Sequence, residues 1–395
     1  MPLARPLQQI DRVFVRAHGR KLVYFGGCDY FRLASHPEVL RALHEGAEKF
    51  GLNVAASRAT TGNHTLFEKL ESELAKFFGV ESAVLLSNGY ATNLAVAQTF
   101  AGEFTHALID ERSHGSPRDA VLLLGCPVAE FRHRDSEDLS RALKSCGRKA
   151  RPFVITDGLF SHDGSLAPLR EYLEALPRRA LLLVDDAHGA GTLGARGRGT
   201  PEVCGVRDER LVQTISLSKA FGVYGGAVLG SAKIIQAIQE RSRIFNGNTP
   251  PPLPLVNAAL ASLRVLKTDR SLRQRLHANT ARIKDALRRG ARTAESACSS
   301  GQDYARADSA VRAPHENLSP IVAVVPRTAR EAVQLSRALL RAGIFPRLIR
   351  YGNGPAHGYF RFTISSEHTP AQLDALAAVL VGVHASACFP EQAEA

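Results

Sequence analysis

Across its 395 residues the sequence has no apolar run near the ~18 residues that a membrane-crossing helix needs, so no membrane span is expected. Paired cysteines are lacking too. The six, at positions 28, 126, 146, 204, 298 and 388, contain no CxxC and are too sparse for a disulfide scaffold. They read as ordinary thiols in a reducing compartment. The opening stretch MPLARPLQQIDRVFVR has no continuous apolar core of the kind a secretory signal carries, which leaves a soluble, cytoplasmic protein as the expectation. There is no internal repeat. No basic stripe with interleaved aromatics is present either, so nucleic acid is not an expected partner. The net charge of +12 is spread along the whole length, as a solvated surface would be; attraction of a phosphate-bearing substrate is the functional alternative.

What is present is a βαβ rhythm. Short apolar runs at AVLLS (83–87), HALID (106–110), PFVITD (152–157), ALLLVDD (180–186), LVQTISLS (211–218) and AVLG (227–230) read as strands. Several are apolar throughout, which fits strands covered by helices on both faces. LFEKLESELAKFF (66–78) repeats its apolar residues at helical spacing. The pattern predicts an α/β fold with a large, mostly parallel sheet and a smaller C-terminal α/β domain. The boundaries read as an N-terminal segment over 1–50, a large domain over 51–290 and a small one over 291–395. Residues 296–320 are small, polar and aperiodic, and predict an exposed loop. SPIVAVV, IFPRLI and YFRFTIS follow as strands, with a helix over roughly 327–342. A last helix starts at Thr369, with Pro370 at its first position and Gln372 completing a capping box. The tail FPEQAEA reads as frayed.

Four features sit at strand ends, where open α/β sheets hold ligands. SNGYATN (87–93) turns from a strand into a helix whose free backbone N–H groups suit a phosphate, although a glycine there is more often only a turn. In DERSHGS (110–116), His114 follows a strand end; it is either a surface residue or a flat imidazole against an aromatic cofactor. LVDDAHGAG (183–191) ends an apolar strand in two acids. Burying them is costly without partners, so Asp185 is either a solvated turn residue or the counter-charge of a cationic heterocycle, with His188 one turn on. In TISLSKAFGVYGG (214–226), Lys219 follows a strand, where a lysine that loses its proton forms Schiff bases, and Ser216 and Ser218 offer hydroxyls to a phosphate. The combination is far more specific than any member alone.

These motifs, with CDYFRLASHPEVL (28–40), SRATTGNH (57–64), TDGLFSHDG (156–164) and FRFTISSEHT (360–369), resemble the α-oxoamine synthases over nearly the whole chain. Those are pyridoxal 5'-phosphate enzymes of fold type I, whose large sheet has seven strands. The resemblance implies that Lys219 holds the cofactor covalently, Asp185 faces its ring nitrogen and His114 stacks on the ring. It further implies that His188 bonds the ring's phenolic oxygen or the reacting carbonyl, and that Ser161 lies beside the ring. Gly89, Tyr90 and Ser216 would grip the phosphate, and Arg361 would bind the amino-acid carboxylate. Family members condense an amino acid with an acyl thioester and release carbon dioxide, as homodimers with active sites at the interface.

Two departures stand out. GLNVAASR (51–58) replaces the family's glycine-rich run, and FNGNTPPP (245–252) replaces its Thr-Ser before a Pro-Pro pair, leaving Asn248 or Thr249 to supply the cross-subunit phosphate contact. Ser57 leaves slightly more room than threonine, which favours alanine, with a pimeloyl thioester as first choice. Serine with a long acyl chain and glycine with acetyl-CoA remain open. So do a fold type I aminotransferase and a binding protein that has lost catalysis.

Overall fold

The computed structural model describes residues 6–17, 19–297, 319–350 and 355–388. The loop read over 296–320 lies outside them apart from its two ends, and the tail FPEQAEA lies outside them entirely. The chain divides into two compact units. One comprises Met1–Tyr30, His162–Gly164 and Ser271–Ala395; the other comprises Phe31–Ser161 and Ser165–Arg270. The divisions fall after Tyr30 and Arg270 rather than at 50 and 290. The physical reason lies in what the first residues pack against. Strands β1 (Gln8–Gln9), β2 (Phe14–Ala17) and β3 (Arg20–Val23) pair antiparallel, and Val15 and Leu22 bury themselves against Leu340 and Phe345 from the other end of the chain. Such long-range packing leaves no periodic signal in the sequence.

The larger unit is built on a seven-stranded sheet. Its strands are β4 (Ser82–Leu86), β5 (His106–Asp110), β6 (Val128–Phe131), β7 (Pro152–Asp157), β8 (Leu181–Asp185), β9 (Leu211–Ser216) and β10 (Gly226–Gly230). Their order is β4-β10-β9-β8-β7-β5-β6. Only β10 runs against its neighbours, so the other six strands end on one edge. The apolar runs read from the sequence become the middle of this sheet. Along β7, Phe153 and Ile155 point into one cluster with Val96, Ala120 and Ile235, while Val154 points into a second with Leu139, Leu169 and Tyr172. Both faces are therefore covered, which is why these strands do not alternate apolar with polar. Burying each such side chain stabilises the fold by about 1.5–3 kcal/mol.

The smaller unit carries β11 (Ile321–Val324), β12 (Leu348–Ile349) and β13 (Tyr359–Thr363) in the order β11-β13-β12, all antiparallel. Phe360 and Phe362 meet Ile283 of the helix Arg270–Ala297, Leu335 and Leu339 of the helix Ala329–Arg341, and Leu373 and Leu376 of the last helix, Pro370–Cys388. That last helix begins with the capping box read from the sequence. Thr369 N–H donates to Gln372 Oε1 at 2.9 Å, and Gln372 N–H to Thr369 Oγ1 at 3.3 Å. Among the described residues no helix is long and apolar enough to cross a membrane, and Cys28, Cys126, Cys146 and Cys204 are free thiols.

Candidate active site

The edge where six strands of the large sheet end is the polar end of an apolar slab. Asp110, Asp157 and Asp185 are the last residues of β5, β7 and β8, and Asp157 and Asp185 are Cα partners in register. A fourth acid, Asp186, follows at once. All four are buried. Buried carboxylates persist only with donors around them, and each here has its own set. Asp110 accepts from the backbone N–H of Arg112 and of Arg134, both at 2.9 Å, and lies 3.0 Å from His133 Nδ1. Asp185 accepts from Asn93 Nδ2 at 2.7 Å and from Ala187 N–H at 3.1 Å. Asp157 accepts from His114 N–H at 3.1 Å. Asp186 accepts from Thr200 N–H at 2.9 Å, Thr200 Oγ1 at 2.6 Å and Gln213 Nε2 at 2.7 Å. Burial still pushes the Asp186 carboxyl up to about 7, against those three donors. Its surroundings are close: a Cβ on Gly199, whose φ is +87°, would sit 1.8 Å from Asp186 Oδ2.

Asn93 is the residue that the motif reading passed over. It lies on the buried side of the helix Gly89–Thr99, one turn in, and its amide is fully used. Besides Asp185, its Nδ2 donates to Ser116 Oγ at 2.9 Å, and its Oδ1 accepts from Thr214 Oγ1 at 2.7 Å. One side chain thus joins the ends of β8 and β9 to the helix that follows β5. Its signal in the sequence was only its place in SNGYATN. The pairing with Asp185 spans 92 residues and is set by topology.

The helix Gly89–Thr99 starts where β4 ends because Asn88 caps it, its Oδ1 accepting from Ala91 N–H at 2.9 Å. A Cβ on Gly89 would lie 2.7 Å from Ser216 Cβ, so no other residue fits this close approach of the turn to the end of β9. Ser216 Oγ and Ser218 Oγ lie 2.7 Å apart beside that turn. Lys219 comes next, half-buried, in a turn closed by Gly222 N–H to Lys219 O at 2.9 Å and by Val223 N–H to Leu217 O at 2.9 Å. Its charge is felt at Asp157, where it favours the ionised carboxyl against the opposing effects of burial and of Asp185.

The remaining residues read from the sequence have varied settings. His114 is exposed and caps the helix Gly115–Leu122 through Nδ1, which accepts from Ser116 N–H at 3.3 Å. His188 is buried, three residues beyond Asp185. Tyr90 is 44% exposed and its hydroxyl is bonded to Asp119, which raises the pKa of that hydroxyl. Ser161 is half-buried just beyond the end of β7. Ser57 Oγ donates to Asn246 O at 2.5 Å and accepts from Ala59 N–H at 3.1 Å. Beside it, Arg58 forms a two-pronged, buried ion pair with Glu71, which the sequence reading also missed. Asn248 Nδ2 lies 3.4 Å from Ser87 Oγ of its own chain. Arg361 is buried in the middle of β13, in the smaller unit. Its charge there favours ionisation of Tyr30, whose hydroxyl is nevertheless pushed well up by burial first and by Cys28 second.

A family model described as aminotransferase class I and II matches residues 21–380. Among curated relatives, the 8-amino-7-oxononanoate synthase of Thioalkalivibrio sulfidiphilus is 36% identical over 361 residues, 91% of this chain and 87% of its own. A solved serine palmitoyltransferase from S. paucimobilis, with a bound PLP–myriocin aldimine, superposes with a TM-score of 0.83 at 27% identity, covering 95% of this chain and 90% of that one. The 8-amino-7-oxononanoate synthase of Francisella tularensis superposes with a TM-score of 0.74 at 25% identity, over 92% of this chain and 98% of that one. With a fold-type sheet, buried acids at its carboxyl edge and a family match over nearly the whole length, the chain belongs to the aminotransferase class I and II family.

Proposed function

We propose that this chain is a pyridoxal-phosphate-dependent α-oxoamine synthase of the 8-amino-7-oxononanoate synthase kind. It joins an L-amino acid, alanine, to an acyl thioester, pimeloyl, and releases carbon dioxide and the thiol. The observation that carries this reading is the buried Asp185 carboxylate at the end of β8, held by Asn93 and Ala187, with Lys219 in the turn after the neighbouring strand β9. The residues present fit the cofactor. Asp185 supplies a buried anion for a cationic ring nitrogen. The Gly89 turn, too tight for a side chain, together with the two serine hydroxyls and a helix N-terminus, suits a phosphate.

When bound, pyridoxal phosphate supplies an electron sink for charge developing at the substrate's Cα. Lys219 would hold the cofactor, and its side-chain nitrogen would take the Cα proton of the substrate. Asp185 would face the cofactor's ring nitrogen and favour its protonated form, and Asn93 holds Asp185 in orientation. His114 would stack on the ring, His188 would bond its phenolic oxygen or the reacting carbonyl, Ser161 would lie beside the ring, and Gly89, Tyr90 and Ser216 would grip the phosphate. Arg361 binds the substrate carboxylate, and Ser57 shapes the wall beside the Cα substituent. The working form is a cytoplasmic homodimer, and Asn248 or Thr249 takes the cross-subunit phosphate contact.

A second reading, serine with a palmitoyl thioester, is favoured by the higher TM-score of the solved serine palmitoyltransferase. The test is an absorbance titration of cofactor-loaded protein with alanine, serine and glycine, each then given pimeloyl-, palmitoyl- or acetyl-CoA while free CoA is followed. CoA release with alanine and pimeloyl-CoA is expected. Release only with serine and palmitoyl-CoA would establish the second reading. Stoichiometric pyridoxamine phosphate from an amino acid alone would overturn both in favour of an aminotransferase.

A further inference from the structure

Four acids are buried at one edge of one sheet, and they are not equally supplied with donors. Among the described residues, Asp110 and Asp186 each face three donor groups, Asp185 faces two, and Asp157 faces one, the His114 N–H at 3.1 Å. Asp157 and Asp185 are also in register on adjacent parallel strands, 4% and 8% exposed. Two like charges side by side in a poorly solvated place cannot both be carried cheaply, and the proton settles on the acid with the weaker support. One backbone N–H serves the carbonyl oxygen of a neutral carboxylic acid, whereas an ionised carboxylate has about four acceptor sites to fill.

From this unequal supply of donors we propose that Asp157 is a positioning residue carried as a neutral acid, which leaves Asp185 as the charged member of the pair. Neutral Asp157 still anchors the backbone of His114. It also leaves the Asp185 charge uncontested. An ionised Asp157 would give the edge a second negative charge one strand away, and Asp185 would then answer less specifically to a cation in front of it. The charged groups acting on Asp157 are Asp185 at the end of β8, Asp110 at the end of β5 and Lys219 after β9, and the uncharged His114 N–H after β5 donates to it. Burial and the Asp185 charge, in that order, drive its proton affinity up; the His114 N–H and Lys219 act against them. The location of the proton stands on the fold alone. Its consequence for a cationic ring rests on the function proposed above.

The decisive experiment uses cofactor-free protein. An acid whose pKa is raised by folding binds more protons in the native state than in the unfolded one, so it lowers stability as pH rises above its unfolded pKa of about 3.9. Asn at 157 has the shape of the neutral acid and no proton to lose. Melting temperatures of wild type and Asp157→Asn are compared from about pH 5 to about pH 9. The variant is expected to melt above wild type by a margin that widens by on the order of 2 °C per pH unit until the wild-type acid ionises. A margin that does not change with pH, or that widens in favour of wild type, would overturn the proposal.

If Asp157→Asn does not fold, a second measurement decides. Protein with ¹³C-labelled aspartate and the substitution Asp186→Asn should show a protonated-carboxyl stretch in the infrared at about neutral pH, and its absence overturns the proposal. Loaded protein separates the two claims. If no cofactor binds at all, the function proposed above fails while the melting comparison still answers. If it binds, the absorbance band of Asp157→Asn should match that of wild type at neutral pH and lose only the change that ionisation of the wild-type acid causes at alkaline pH; a band already displaced at neutral pH counts against a neutral Asp157.

Discussion

Along β7 and β8 the first residues and the last ones live in opposite surroundings. Phe153 and Leu182 are fully buried among apolar side chains on both faces of the sheet. Four or three residues further on, Asp157 and Asp185 are nearly as buried but lie side by side, in register on the two strands. The middle of the sheet gains stability from every side chain it hides. The edge gives some of that stability back, because buried carboxylates cost desolvation that a few hydrogen bonds only partly offset. Chemistry is therefore expected at the edge and stability in the middle, and substitutions should separate the two.

The largest effect is expected from the edge. Lys219→Ala should lower kcat by roughly 10³-fold or more while far-ultraviolet circular dichroism stays that of wild type, since it removes the group proposed to move the proton and no core packing. Activity near that of wild type would mean that the edge is not the site.

The converse substitution comes next. Phe153→Ala, deep in β7 and edge-on to Phe104 with ring centroids 5.0 Å apart, should cost about 3–5 kcal/mol in urea unfolding and leave kcat of the folded protein little changed. A large fall in kcat with little loss of stability would break the division between middle and edge.

A pH experiment sharpens the comparison within the edge itself. Burial raises the Asp186 carboxyl to about 7 in the folded chain. The folded state therefore holds a proton that the unfolded state has released, and this group's contribution to stability falls as pH rises from about 4 to about 7, by up to about 1.4 kcal/mol per unit. Above that window it is flat. Asp186→Asn should flatten the slope of unfolding free energy against pH in that interval, measured by urea titration. An unchanged slope would show that the Thr200 and Gln213 donors hold Asp186 ionised throughout.

The smallest effect is expected in the other unit. Thr369→Ala removes one arm of the capping box and should cost about 1 kcal/mol with no effect on catalysis. A loss of catalysis with unchanged stability would give this helix start a part in the reaction.

The sheet was largely legible because its strands are short, apolar and separated by helical patterns. HALID and PFVITD coincide with β5 and β7 residue for residue. The capping box at Thr369 was legible for a related reason, since its partners are three residues apart. Contacts made across long stretches of chain were not. Nothing near Asn93 announces that its amide meets Asp185, and nothing near Val15 announces Leu340. The reversed direction of β10 was equally hidden, because direction leaves no mark in composition. For Asp185 and Asp186 the sequence showed two adjacent acids at a strand end. Which of them faces Asn93 and which Thr200 depends on the alternation of side chains at the end of β8.

The account stands or falls on Lys219. Cofactor-loaded protein would be treated with sodium borohydride, digested, and its peptides weighed. The account predicts one modified peptide, carrying the reduced pyridoxyl group on Lys219, and none once that lysine is replaced. A pyridoxyl group fixed on another lysine, or none fixed although the cofactor is bound, would contradict it.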